Sequence, residues 1–139
     1  MILAPISAAD LADRISILQI KCDRITDPDK LANCYQERQL LREAWGAQVA
    51  RNDHPVTVGM ILKKLDNANI MLWELEDKAR IPKYVVEETQ YLTQKDKLDM
   101  SMLLRAITRT NDTRAAIKRS LNKLLASDII EEKSHKREA

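Results

Sequence analysis

Residues 11–25 read LADRISILQIKCDRI, a stretch in which apolar residues return regularly to one helical face. They recur at spacings of four, three, four and three residues: Leu11, Ile15, Leu18, Cys22 and Ile25. Rows with this spacing pack one α-helix against its neighbours. Ser7 and Asp10 precede the row as a variant of the capping box, so we expect the first helix to begin after Ser7.

Three further segments have helical patterns and are separated by helix-ending residues. We predict a second helix over residues 28–51, a third over 57–81 and a fourth over 93–125. The second helix has a less regular apolar face, its predicted buried side: Leu31, Cys34, Leu41, Trp45 and Val49. The third has a clearer row: Val58, Leu62, Leu65, Asn69, Leu72 and Ala79. Because the connections are short, the sequence predicts an all-α fold, an antiparallel bundle of about four helices in up-down-up-down order.

The fourth helix is longer than the others can cover. At ~1.5 Å per residue it would be ~48 Å long, against ~28 Å for the first helix. The excess would leave apolar residues beyond the bundle: Leu98, Met100 and Met102. We expect them to be covered by residues 83–92, as a short helix or an irregular crossing, or by a second copy of the protein. The whole chain, 1–139, is predicted to be one domain, with residues 127–139 a partly disordered charged tail.

The composition indicates a helical domain with a solvated exterior. Hydrophobic residues make up 45% of the chain and charged residues 32%, and the net charge is only +2, which is not typical of proteins that bind duplex nucleic acid. No stretch approaches the ~20 apolar residues that span a bilayer, and the start lacks the basic region of a signal peptide. We therefore predict a cytoplasmic protein with neither nucleic acid nor a membrane as its partner.

Residues that bind metals are few and scattered. Cys22 and Cys34 form no CxxC pair, and His54 and His135 lie far apart in the chain. Zinc sites need several such ligands close together, so we predict no metal and no cofactor. Both cysteines fall on apolar rows and are predicted to be small buried residues. The sequence patterns of di-iron sites, phosphate loops, serine hydrolases and zinc proteases do not occur.

Polar side chains on or beside the predicted buried rows are the candidate functional residues. They form one predicted cluster: Asp13, Lys21, Asn69, Glu76, Asp77, Arg109, Asn111, Asp112, Arg114 and Lys118. Aligning the middles of antiparallel helices pairs Asp13 with Arg114 or Lys118. It also places Asn69 level with residues 109–112. The same alignment pairs Glu76 with Arg105 or Thr108.

Two interpretations of this cluster stay open. In the first, buried ion pairs and amides fix the register of the bundle at some cost in stability. In the second, Arg109, Arg114 and Lys118 hold a small anion, while Asp13, Glu76 or Asp77 bind magnesium or transfer protons.

Several blocks along the chain resemble one bacterial family, a helical domain of unknown function sometimes found near glycan-related genes. The resemblance covers most of the chain and is carried by residues 13–21 (DRISILQIK), 72–77 (LWELED), 109–119 (RTNDTRAAIKR) and 131–134 (EEKS). It implies a bacterial origin and a helical fold but no activity. Two weaker resemblances exist. Glu74-x-x-Asp77 is similar to a motif of the all-α nucleotide pyrophosphohydrolases, but the first Glu-x-x-Glu motif of that family does not occur here. Asp13 and Arg24 are similar to residues in the first helix of the helical chorismate mutases.

The sequence favours a non-enzymatic interaction or scaffold protein that acts as a homo-oligomer, most simply a homodimer, with a partner protein as a further expectation. The uncovered part of the fourth helix and the missing catalytic patterns support this interpretation. The alternative is a small-molecule enzyme or binder that acts on an anionic metabolite, such as a nucleotide or sugar nucleotide, with magnesium.

Overall fold

A computed structural model describes residues 1–49, 51–80 and 92–126, which form four α-helices and no strand. The helices are α1 (Ala8–Arg24), α2 (Pro28–Gln48), α3 (Pro55–Ala79) and α4 (Gln94–Leu124). With 31 residues, α4 is nearly twice as long as α1, which has 17. The all-α prediction with a long C-terminal helix is confirmed. The predictions for residues 83–91 and for the tail 127–139 lie outside the described residues.

Side-chain caps begin three of the helices where the sequence predicts them. The hydroxyl of Ser7 accepts a hydrogen bond from the backbone N–H of Asp10 at 3.0 Å, and that of Thr93 accepts one from Asp96 at 3.1 Å. The Asp27 carboxylate accepts hydrogen bonds from the first backbone N–H groups of α2. Each cap satisfies donors that have no partner inside the helix.

The connection between α2 and α3 differs from the prediction at both of its ends. α2 ends at Gln48, three residues early, and α3 begins at Pro55 rather than at residue 57. Proline fits the first helical position because its missing N–H would have no helical partner there, so Pro55 begins α3, whereas α2 has already ended at Gln48. α3 also ends earlier, at Ala79 rather than at residue 81.

The helices run in the predicted up-down-up-down order. α1 is antiparallel to α4 and parallel to α3, which places α3 and α4 antiparallel to each other. The side-chain contacts that fix these directions are Ala9 with Asn122, Asp13 with Arg114, Asp13 with Asn69, and Arg24 with Glu74. The core therefore lies where α1 rests against both α3 and α4.

The core combines small residues of α1 with large aliphatic residues of α3 and α4. Its buried members are Ala9, Ala12, Val58, Leu65 and Leu121. Leu65 and Leu121 are the largest fully buried side chains, with 1% and 0% of their surface exposed. The alanines of α1 allow the three helices to approach closely at this point.

The predicted inner side of α2 is its least exposed side, but it is not fully buried. α2 has no buried residue, and the five predicted positions are half-buried: Leu31, Cys34, Leu41, Trp45 and, at the C-cap, Val49. The physical reason is that α2 packs mainly along α1, and a single neighbour covers only part of a helix surface. Cys22 is buried as predicted, whereas Cys34 is half-buried, and both thiols are free.

Candidate functional site

A buried carboxylate stands at the centre of the contact between α1, α3 and α4. Asp13 lies in the second turn of α1 and is only 3% exposed. The guanidinium of Arg114 on α4 donates two hydrogen bonds to it, one from Nε to Oδ1 at 2.9 Å and one from Nη2 to Oδ2. Bidentate pairs of this kind are both strong and geometrically specific. The predicted pairing of Asp13 with Arg114 is confirmed.

Asn69 brings α3 into the same network. Its Nδ2 donates hydrogen bonds to Asp13 Oδ1 and to Ser16 Oγ, both at 3.0 Å. Asn69 is 4% exposed and Ser16 5% exposed, so these bonds form away from water. One carboxylate on α1 is therefore bonded to both α3 and α4.

A lysine adds a second positive charge beside Asp13. Lys118 Nζ lies 3.8 Å from Asp13 Oδ2 and 3.7 Å from Asp10 Oδ1, and the Lys118 side chain is 12% exposed. Asp10 also forms an ion pair with Arg14 at 3.1 Å. We call the group at the helix junction the seam cluster: Asp10, Asp13, Ser16, Asn69, Arg114 and Lys118. Within it, two carboxylates face two cations, so the predicted pairing of Asp13 with Lys118 also holds.

The surroundings of Asp13 keep it ionised at neutral pH. Burial alone would raise the pKa of this carboxyl, because a low dielectric disfavours the charged form. The hydrogen bonds from Arg114 and Asn69, together with the positive charges of Arg114 and Lys118, outweigh that effect and hold the pKa below its ordinary value of 3.8. Asp13 therefore carries a negative charge inside the bundle at neutral pH.

A second buried polar contact joins α1 and α4, one turn closer to the start of α1 than Asp13. Asn122 Oδ1 accepts a hydrogen bond from the backbone N–H of Ala9 at 2.8 Å. This N–H belongs to the first turn of α1, where it has no helical partner. Among the described residues, no buried side-chain nitrogen or oxygen lacks a hydrogen-bond partner. The polar seam is thus fully satisfied by the chain itself.

The remaining predicted residues separate into three places. A cleft of about 290 Å³ beside the seam cluster is lined by Asn69, Glu76, Asp77, Asn111 and Arg114, with Trp73 and Leu72 among its apolar walls. Glu76 pairs with Arg80 of its own helix at 3.7 Å, not with Arg105 or Thr108, so that predicted pairing is wrong. Arg109 is exposed on α4. Lys21 and Asp112 are half-buried and make none of the seam contacts given above.

The sequence prediction missed three members of the buried network: Asp10, Ser16 and Asn122. A signal for them exists in the spacing. Arg114, Lys118 and Asn122 recur every four residues on α4, and Asp10, Asp13 and Ser16 every three on α1. Side chains at these spacings share a helix face. The two polar rows therefore face each other across the seam.

No family model, curated protein or solved structure matches this chain. Over residues 1–49, 51–80 and 92–126, no three histidine, cysteine, aspartate or glutamate side chains are grouped so that they would hold a metal ion. None of the helices in these ranges is long and apolar enough to cross a membrane. Function must therefore be argued from the surfaces and clefts of the bundle.

Proposed function

We propose that this chain is a non-enzymatic helical-bundle protein that acts through protein contacts as a homo-oligomer. The observation that carries the proposal is a group of exposed large apolar side chains near the start of α4. Leu98 is 61% exposed, Met102 59% and Leu104 54%. Single exposed leucines are common, but three within seven residues favour a contact surface.

Leu98 lies in a part of α4 that extends past its neighbours, and Met102 lies level with the end of α3. The contacts of Asp13 and Ala9 with α4 place the last residue of α1 level with about residue 106 of α4, at the usual helical rise. The hydrogen bond from Thr110 to Met71 places the end of α3 level with about residue 102. We call residues 94–102 the α4 projection. Leu98 and Met102 lie one turn apart on one of its faces, which suits packing against a second helix.

The test is the mass of the protein in solution. Light scattering at micromolar concentration is expected to give at least twice the chain mass of 16.0 kDa. The variant Leu98→Glu/Met102→Glu is expected to be monomeric with unchanged helix content, because it places two charges in the contact. Val56→Glu/Met60→Glu is the matched control, since these α3 residues are 77% and 59% exposed and are also one turn apart. A monomeric native chain, or an oligomer that only the control variant dissociates, would contradict the proposal.

The second candidate is a binder of a small anionic metabolite, supported by the cleft beside the seam cluster. Trp73 offers a flat apolar surface there, and the amide of Asn111 lines the same cleft. Two of the cations that would hold the anion, Arg114 and Lys118, are however matched by Asp13 and Asp10. An anion would have to compete with these carboxylates, so we prefer the first candidate.

A further inference from the structure

A second surface of the bundle has a distinct shape and charge. A groove of about 700 Å³ runs between α3 and α4. It is separate from the cleft beside the seam cluster, because Asn69 lines that cleft and does not line this groove. Buried Ala68 and half-buried Ile61 and Ile117 form its apolar floor. Exposed residues also line it: Met71, Thr113, Ala116 and Ser120. An apolar groove bordered by short side chains accepts the apolar face of an approaching helix.

The rim of this groove is basic. Lys64 lines the groove directly. Arg109 lies one turn before Thr113, and Lys123 lies three residues after Ser120, so helical spacing places both on the same side of α4. Both side chains are exposed. The rim therefore presents three solvated positive charges around an apolar floor.

None of the described residues that line the groove is acidic. Glu74 forms an ion pair with Arg24 of α1 at 3.4 Å. Asp112 is half-buried and has a partner of its own. A ligand with negative charges on both sides of an apolar stripe would therefore match the groove in charge as well as in shape.

We propose that the α3–α4 groove binds an acidic amphipathic helix of a partner protein. A second copy of this chain in the same position would bring two basic rims together, and like charges facing each other disfavour that arrangement. An anionic membrane would meet the rim but would not fill a concave groove between two helices. The inference rests on the proposed function as a protein-contact module, but it uses a surface different from the α4 projection.

A selection experiment tests both the shape and the charge of the partner. The probe is a displayed library of 16-residue helical peptides, with leucine fixed at one face and the flanking positions varied among Glu, Lys, Gln and Ser. Selection on the native chain is expected to enrich Glu at the flanks. Binding of the selected peptide should weaken as sodium chloride is raised, because the rim charges are exposed to solvent.

Charge reversal at the rim identifies the binding surface. Lys64→Glu/Arg109→Glu is expected to bind the selected peptide roughly tenfold more weakly than the native chain does. The matched control, Lys30→Glu/Arg51→Glu, reverses two exposed charges elsewhere and should bind like the native chain. No enrichment of Glu, or equal binding by the rim variant, would overturn the proposal.

Two further measurements distinguish an acidic helix from other occupants of the groove. They also distinguish failure of this inference from failure of the proposed function. If Lys64→Glu/Arg109→Glu changes the oligomer mass, the groove is an interface between copies and the acidic-helix proposal fails. If the native chain sediments with phosphatidylserine vesicles and the rim variant does not, the surface binds membranes and the proposal fails as well. Failure of the homo-oligomer alone would appear as a monomeric native chain that still binds the acidic peptide.

Discussion

Replacing Asp13 with asparagine is expected to lower the free energy of unfolding by about 3 kcal/mol. The neutral amide leaves Arg114 and Lys118 at the seam without their shared anion, and a buried charge without its partner is strongly destabilising. We take the lower end of the usual range because the Arg114 side chain is 26% exposed and retains contact with water. Urea unfolding followed by circular dichroism measures the change. Asp23→Asn on the exposed side of α1 is the control, with an expected change of at most about 0.5 kcal/mol.

The native chain and Asp13→Asn should differ in how their free energy of unfolding depends on pH. The pKa of Asp13 is lowered in the folded chain, so the unfolded chain binds the proton more readily. The stability that the carboxylate contributes is therefore complete above the unfolded pKa and is lost as the pH falls through the folded pKa. The difference between the native chain and Asp13→Asn should shrink below about pH 4. A difference that stays constant from pH 7 to about pH 2.5 would contradict an ionised Asp13.

Replacing Leu121 with alanine is expected to lower the free energy of unfolding by about 3–5 kcal/mol. The Leu121 side chain is fully buried against α1, where Ala9 and Ala12 are too small to fill the space that the substitution leaves. Both the lost apolar burial and the remaining cavity contribute to this loss. Thermal or urea unfolding at fixed protein concentration measures it.

The matched control for this core substitution is Leu40→Ala on α2. Leu40 is 46% exposed and packs against no core residue, so its loss should change stability by at most about 0.5–1 kcal/mol. Equal effects of the two substitutions would mean that Leu121 is not at the centre of the core.

The fold was predictable because the apolar spacing in α1, α3 and α4 agrees with the helix period. Leu18, Leu65 and Leu72 are buried where that spacing places them. α2 differs in the depth of its burial. Its predicted inner row is only half-buried, because α2 packs mainly along α1, which the sequence does not reveal. Burial depends on how many helices surround a position, which local spacing does not encode.

The candidate site was predictable only where a single pairing followed from the helix register. Asp13 pairs with Arg114 because α1 and α4 are antiparallel and the middles of the two helices lie side by side. Asp13 forms no ion pair with the described residues of its own helix that would replace this contact. Glu76 lies closer to the end of its helix, where Arg80 is available one turn away in the same chain segment. A local ion pair needs no register, so it forms instead of the predicted contact with α4.

The charged seam holds three helices in register, and we propose that the outer surfaces of the bundle make the functional contacts. A thermal-shift series with nucleotides and sugar phosphates, with and without magnesium, distinguishes this role of the seam from anion binding. If the seam is structural, the melting temperature should not depend on any of these anions. A ligand present at about 100 times its Kd would stabilise the fold by about 2.7 kcal/mol, which raises the melting temperature by several degrees. Such a rise with one anion, absent in Arg114→Gln, would show instead that the seam binds a ligand.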